Sequence, residues 1–249
     1  YGVKEFLARA NDFQQVVQVG YNLRFLPSLK EFRRLLLEGA VGSPLSIRSE
    51  IGQFLPDWRP GTDYRKSVSG RQELGGGVLL ELSHELDYLI WLLGPVKWVN
   101  AWTGQLSDLE IDVEDSAFLT MGFLSPITGR ETVTTLALDF VRRDTTRKCL
   151  VVGSEGSLRW SASDGSVEIF RTNSSRWEEL FDEQQHIDRS YITQFAHFLA
   201  CVESGRKPLT GGSEGLAVLI VIEAAIQSAK EGGRRQYICE INERDKKNR

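Results

Sequence analysis

The apolar positions of residues 78–93 recur at three- and four-residue spacing: Leu79, Leu82, Leu86, Leu89, Ile90 and Leu93. That period lines them up on one stripe of a helix, and the stripe is expected to be buried. The same projection sends Glu81, His84, Tyr88 and Trp91 to the opposite face, with Asp87 on its flank. Gly75, Gly76 and Gly77 precede the first turn and let the backbone run close to a neighbour, while Gly94 and Pro95 close the segment. Most amphipathic helices only pack, and a lone histidine on a polar face is usually solvated or paired with a carboxylate. Here an imidazole, two acids and two amphipathic aromatics cluster behind three glycines, and that combination raises the case for a site.

Elsewhere the pattern divides the chain into a short helical start, a β-rich middle and a helical end. Residues 3–10 read as a helix with Phe6 and Leu7 as its apolar contacts, and 16–20 as a buried strand. This α-then-β step is typical of a parallel α/β sheet. Tyr21, Asn22, Leu23, Arg24 and Phe25 follow the carboxyl end of that strand, the edge where open α/β sheets place ligands. Asn22 and Arg24 read either as a polar loop or as an amide and a guanidinium fork aimed into a cleft, and their position favours the second. A helix is expected over 27–38 and a half-buried strand over 45–51. The next loop mixes Trp58, Arg59, Tyr64 and Arg65 with proline and glycine, a composition suited to polyhydroxylated or anionic ligands; equally, Trp58 could simply pin it to the core.

Alternating segments at 96–103, 115–123, 131–140, 148–152, 157–161 and 167–170 predict a large, mostly antiparallel sheet. Helices are expected over 191–204 and 214–231. Asp108, Glu110, Asp112, Glu114 and Asp115 lack the glycine and spacing of a calcium loop and read as a solvated connection. His197, between Phe195 and Phe198, reads as structural, and His186 sits in a polar connection without an obvious partner.

The chain has 249 residues, 41% of them hydrophobic, so it can bury a sizeable core. A net charge of −4 and a pI near 5.6 argue against nucleic acid as a partner, and the basic run at 244–249 reads as a frayed end. Cys149, Cys201 and Cys239 are odd in number and form no CxxC pair, so neither a disulfide framework nor a metal site is expected, and a cytoplasmic setting fits best. No apolar run is expected to span a membrane, and the start resembles no signal peptide. Residue 1 is a tyrosine and Met121 is the only methionine, so translation is expected to begin upstream of residue 1. Neither a GxGxxG nor a GxxxxGK[ST] phosphate cradle occurs, and residues 153–156 read as a turn between strands.

Val19 through Phe25, then Trp58-Arg59 and Tyr64-Arg65, then Gly75-Gly76-Gly77 leading to His84-Glu85-Leu86-Asp87 and Trp91-Leu92-Leu93-Gly94, together resemble the Gfo/Idh/MocA oxidoreductases. The ending, Pro208-Leu209-Thr210 before the last helix, is similar as well, so the resemblance covers nearly the whole chain. It implies an α/β and α+β architecture: residues 1–22 as the last part of a Rossmann domain, and 23–249 as a substrate-binding and oligomerisation domain built on a large, mostly antiparallel open-faced sheet flanked by helices. It also implies an NAD- or NADP-dependent dehydrogenase or reductase acting on a sugar, sugar derivative or cyclic polyol, assembled as a homodimer or homotetramer through the sheet.

By the same resemblance His84 is the general acid or base. The family aspartate four residues before it is replaced here by Leu80, so Glu81 takes over as its acidic partner. Asn22, Arg24, Trp58, Arg59, Tyr64 and Arg65 then face substrate, Asp87 is either structural or a further substrate contact, Tyr21 and Asn22 touch the cofactor, and the main nucleotide site lies upstream of residue 1. The chain by itself is expected to be inactive. The alternative is a non-catalytic sugar-binding or dimerisation module derived from the same fold.

Overall fold

In this computed structural model residues 2–124, 129–182 and 187–238 are described. His186, Cys239 and the basic run at 244–249 lie outside them. Strands β1 (Pro44–Gly52), β2 (Val96–Gly104), β3 (Ser116–Leu124), β4 (Glu131–Asp139), β5 (Thr146–Gly153), β6 (Gly156–Ser161), β7 (Ser166–Arg171), β8 (Glu178–Asp182) and β9 (Gln236–Tyr237) form one sheet, in the order β8-β7-β6-β5-β1-β4-β3-β2-β9. Only β1 and β4 run parallel; the other neighbouring pairs are antiparallel. The mixed α/β class and the large, mostly antiparallel sheet agree with the sequence pattern.

Strict alternation decides which side of the sheet is covered. In β4, Thr132, Thr134, Leu136 and Leu138 are buried while Glu131, Val133 and Thr135 are exposed, as a sheet with one packed face requires. Helices α2 (Pro27–Leu37), α4 (His84–Leu93) and α6 (Gly212–Lys230) cover the packed face, bringing Leu29, Phe32, Leu86, Leu89, Val218 and Ile222 into one core with Val99, Met121, Leu138 and Val151. Helix α5 (Ile187–Ser204) lies against the 3₁₀ turn Asn22–Phe25. Helix α6 has the length and apolarity of a membrane span, contrary to the sequence expectation. Its Val218, Val221, Ile222, Ala224 and Ala225 are buried in the core, which accounts for the composition.

Further expectations change. The helix expected over 78–93 is two: α3 (Val78–Glu81) and α4, joined at Leu82 and Ser83. There the Ser83 and Glu85 amides donate to carbonyls three residues back, at Leu80 and Leu82, in place of four. Of the face expected to be polar, Tyr88 and the flanking Asp87 are buried, and Glu81, His84 and Trp91 are partly buried. Residues 16–19 make only an isolated bridge, Gln18 to Gly211, because no strand of the sheet lies beside them. Preceding them, α1 (Val3–Asp12) buries none of its residues, and Phe6 is exposed.

The acidic run is not a solvated connection throughout. Asp115 is buried and accepts from the Leu106 and Ser107 amides and the Ser107 and Ser116 hydroxyls. Glu114 accepts the Leu79 amide at 3.1 Å and satisfies the first turn of α3. Cys149 and Cys201 are free and buried.

Candidate functional site

One edge of the sheet gathers the candidate residues. Gly52 ends β1 beside Asp139, the last residue of β4, and Thr146, the first of β5. From this edge run the segments 53–77 and 140–145, and the first folds as successive 3₁₀ turns that lead to α3. A Cβ at Gly76 would lie 2.2 Å from the Val68 carbonyl oxygen, and Gly77 has φ +109°. Glycine is needed at both positions, at the first for close packing and at the second for backbone conformation. The loop is thereby folded tightly onto the start of the helix pair that carries His84.

His84 occupies the first position of α4. The Tyr21 ring meets it edge-on, with centroids 5.4 Å apart and planes at 77°. Among the described residues Nδ1 is buried without a hydrogen-bond partner, so Nε2 is the nitrogen a ligand would meet. Burial, reinforced by the nearby Arg147 charge, pushes the imidazole down to about 4, so it is neutral near pH 7. Burial also raises the Tyr21 hydroxyl.

Two buried ion pairs flank the imidazole. Arg24 grips Asp87 through two parallel bonds, Nε to Oδ2 at 2.9 Å and Nη2 to Oδ1 at 2.7 Å, and a third bond runs from Nη1 to the Leu209 carbonyl at 3.1 Å. The guanidinium also lies 5.6 Å from the Trp91 ring. Asp87 is pushed up to about 6 by its burial, against which the Arg24 bonds act. On the other side Arg147 Nε meets Glu85 Oε1 at 2.7 Å, while Glu85 Oε2 has no partner among the described residues. Burial raises the Glu85 carboxyl, and Arg147 opposes the rise.

The structure thus distributes the expected site residues unevenly. It brings Tyr21, His84, Arg24 and Asp87 together, with Arg24 committed to Asp87. Asn22 is buried and donates its side-chain amide to Ser190 Oγ at 2.8 Å. Glu81 turns away, accepting the Ser69 hydroxyl at 2.6 Å, because the break after α3 removes the helical spacing that would set it over His84. Trp58 packs edge-on against Phe140 and donates to the Gln53 carbonyl, which is the pinning role. Arg65 pairs with Asp63 and Glu110, while Arg59 is exposed. Trp58, Arg59 and Tyr64 border a slot of only about 10 Å³, the scale of one water and not of a sugar.

Among the described residues no cluster of histidine, cysteine or carboxylate is arranged to hold a metal. His197 is structural: Nε2 accepts the Leu209 amide at 3.0 Å, and the ring packs on Phe25.

Sequence reasoning missed Glu85 and Arg147. The available signal was the alternation of β5, which places Arg147 on the buried side with Cys149 and Val151, where an arginine requires a counter-charge.

Comparison with known proteins agrees with this geometry. The model of an oxidoreductase family, the C-terminal alpha/beta domain of Gfo/Idh/MocA, matches residues 33–238. D-apiose dehydrogenase of Paraburkholderia graminis is 28% identical over 232 residues, covering 87% of this chain and 58% of that protein. Inositol 2-dehydrogenase of Rhizobium meliloti is 26% identical over 92% of this chain and 67% of its own length. The chain therefore spans roughly three-fifths to two-thirds of these relatives. Among solved structures, an inositol dehydrogenase homologue of Azotobacter vinelandii complexed with NAD+ superposes with a TM-score of 0.80 at 16% identity, covering 94% of this chain and 68% of that one. Aldose-aldose oxidoreductase of Caulobacter crescentus, complexed with glycerol, gives 0.78 at 23% identity, with the same coverage. At these identities the structural likeness establishes the fold.

Proposed function

The chain belongs to the Gfo/Idh/MocA oxidoreductase family, and from that premise we propose that it carries the substrate side of an NAD(P)-dependent dehydrogenase for a sugar, sugar derivative or cyclic polyol. The observation that carries this reading is His84: a neutral imidazole with one nitrogen sealed and the other available, fixed between two buried ion pairs at a sheet edge. A neutral imidazole accepts a proton. In this reading Nε2 takes the hydroxyl proton as an alcohol is oxidised, as a weaker base than a free imidazole.

A bound nicotinamide dinucleotide supplies the hydride acceptor. Of this chain's residues, Tyr21 and Asn22 fit the nicotinamide side, as they stand directly before the His84 wall. No glycine-rich strand-turn-helix for the pyrophosphate occurs among the described residues, so the 249 residues alone are expected to turn nothing over. Residues 1–22 are assigned to the nucleotide domain and 23–249 to the substrate domain.

The Arg24–Asp87 pair holds the segment before α2 against α4 and thereby fixes Tyr21 over His84. Glu81, bound to Ser69, serves the loop and not the proton. Arg59, exposed and without a partner among the described residues, is the loop arginine left to meet substrate.

The open face of the sheet is assigned to self-association as a homodimer or homotetramer. Trp102, Phe118, Leu124 and Val133 are exposed on it, beside a depression of about 850 Å³ whose lining includes Arg48, Glu50, Lys148 and Arg159. An apolar patch bordered by charges of both signs suits a copy of itself.

The test is to incubate the full-length protein with NAD+ or NADP+ and D-apiose, D-xylose or myo-inositol, following formation of the reduced nicotinamide. Turnover of at least one sugar is expected. Failure of every sugar and polyol with both dinucleotides would overturn the reading.

A further inference from the structure

We propose that Arg147 is a substrate-anchoring residue: the terminal amino groups of its guanidinium, braced by buried Glu85, donate to two neighbouring oxygens of the sugar that His84 serves. The inference rests on the sugar-oxidoreductase reading above and adds a contact, and a preference, that the family membership does not supply.

The geometry points to it in three steps. Arg147 lies on the packed side of the sheet, near the edge where β1 ends, paired across the backbone with Ile51. Its partner Glu85 follows His84 directly in the first turn of α4 and is wholly buried, so the ion pair ties the guanidinium to the helix that carries the proton acceptor. Only Nε is engaged. Nη1 and Nη2 have no partner among the described residues, and the side chain keeps 20% of its surface exposed although its partner keeps none. A guanidinium held at its inner nitrogen, with its outer fork open to solvent, is preorganised to bind a pair of acceptor oxygens.

Of the neighbouring arginines, Arg59 and Arg143 are exposed, and three others are already committed. Arg24 is closed by Asp87, Arg65 by Asp63 and Glu110, and Arg142 by Asp144 and Glu50. Arg147 is thus the inward-facing arginine of this edge with spare donors. Glu85 neutralises its charge, so no uncompensated positive charge remains to demand an anion. The fork is accordingly assigned to the vicinal hydroxyl oxygens of a neutral polyol, and a carboxylate of a sugar acid is the competing occupant.

The experiment compares wild type, Arg147→Lys and the double variant Glu85→Gln/Arg147→Met in the full-length protein, with myo-inositol, D-xylose and D-glucuronate as probes. Lysine keeps the charge for Glu85 and loses the fork, so Arg147→Lys separates anchoring from structure. The double variant removes both charges and leaves no buried ion without its partner.

Both variants are expected to melt close to wild type and to raise KM for the neutral probes about tenfold, with kcat much less affected, as expected when binding common to ground and transition states is lost. An unchanged KM for the neutral probes in Arg147→Lys, or a rise confined to D-glucuronate, would overturn the assignment while leaving the oxidoreductase reading standing. If wild type turns over none of these probes, the anchoring is judged on binding alone. The arginine side-chain NMR signals of the 249-residue chain are then titrated with myo-inositol and D-xylose. A shift of the Arg147 signals supports anchoring, and no shift with either overturns it.

Discussion

The His84 imidazole is the residue on which the account turns, and its ionisation is open to direct measurement. The chain has three histidines, so NMR titration of the ring signals can be assigned with single substitutions. His84 is expected to stay neutral down to about 4 because its charged form is desolvated and faces Arg147. An ordinary midpoint of about 6.5 would contradict the burial argument. The consequence for stability has a definite sign. With the folded value below the unfolded one, the contribution of neutral His84 is complete above the unfolded value and is lost as pH falls from about 6.5 toward about 4. By denaturant melts wild type should therefore lose stability relative to His84→Gln as pH falls through that window, and a difference that does not change with pH would argue against it. Asp87→Asn leaves the Arg24 guanidinium buried without its carboxylate, and is expected to cost about 3–5 kcal/mol by urea denaturation. A loss below about 1 kcal/mol, the range of surface ion pairs, would mean that the pair is solvated. His84 was legible in the sequence because helical spacing separated it from the leucines. The role expected of Glu81 was not, since the helix breaks at Leu82 and Ser83 and Glu81 instead accepts the hydroxyl of Ser69, twelve positions earlier.

At the scale of elements, the clearest success of sequence reading was the sheet. β1 through β7 alternate strongly because one face is packed and the other open, and their expected limits agree closely with the structure. β8 escaped notice because it is an edge strand with no fully buried residue, and β9 because two residues carry no period. Residues 16–20 misled for the opposite reason: their apolar run is strand-like, but a strand requires a partner strand, and here only the short stretch Thr210–Gly211 lies alongside. The glycines before α3 were read correctly as a site of close approach. Gly77→Ala would force φ +109° on a residue with a side chain and bring its Cβ to 2.5 Å from a Glu114 carboxylate oxygen. A destabilisation of more than about 1 kcal/mol is expected, readable as a lowered denaturation midpoint, and a neutral effect would show that the loop relaxes freely.

For the whole molecule, one face of the sheet is covered by helices and supports the site, while the other displays Trp102 and Phe118 to solvent, 6.0 Å apart. If the open face joins copies, Phe118→Asp should reduce the particle mass found by sedimentation without unfolding the chain; an unchanged mass would place the interface elsewhere. The pattern of burial revealed which face is open, but sequence alone could not show which residues meet at the sheet edge, because Arg24 and Asp87 are 63 positions apart and Glu85 and Arg147 are 62. The central claim joins this edge to proton transfer. It is tested most directly by single-turnover reduction of the dinucleotide in the full-length protein, comparing wild type with His84→Ala at matched sugar saturation. The account predicts a loss of roughly 10²- to 10⁴-fold in rate with sugar affinity and melting temperature largely kept, and a variant that turns over at the wild-type rate would contradict it.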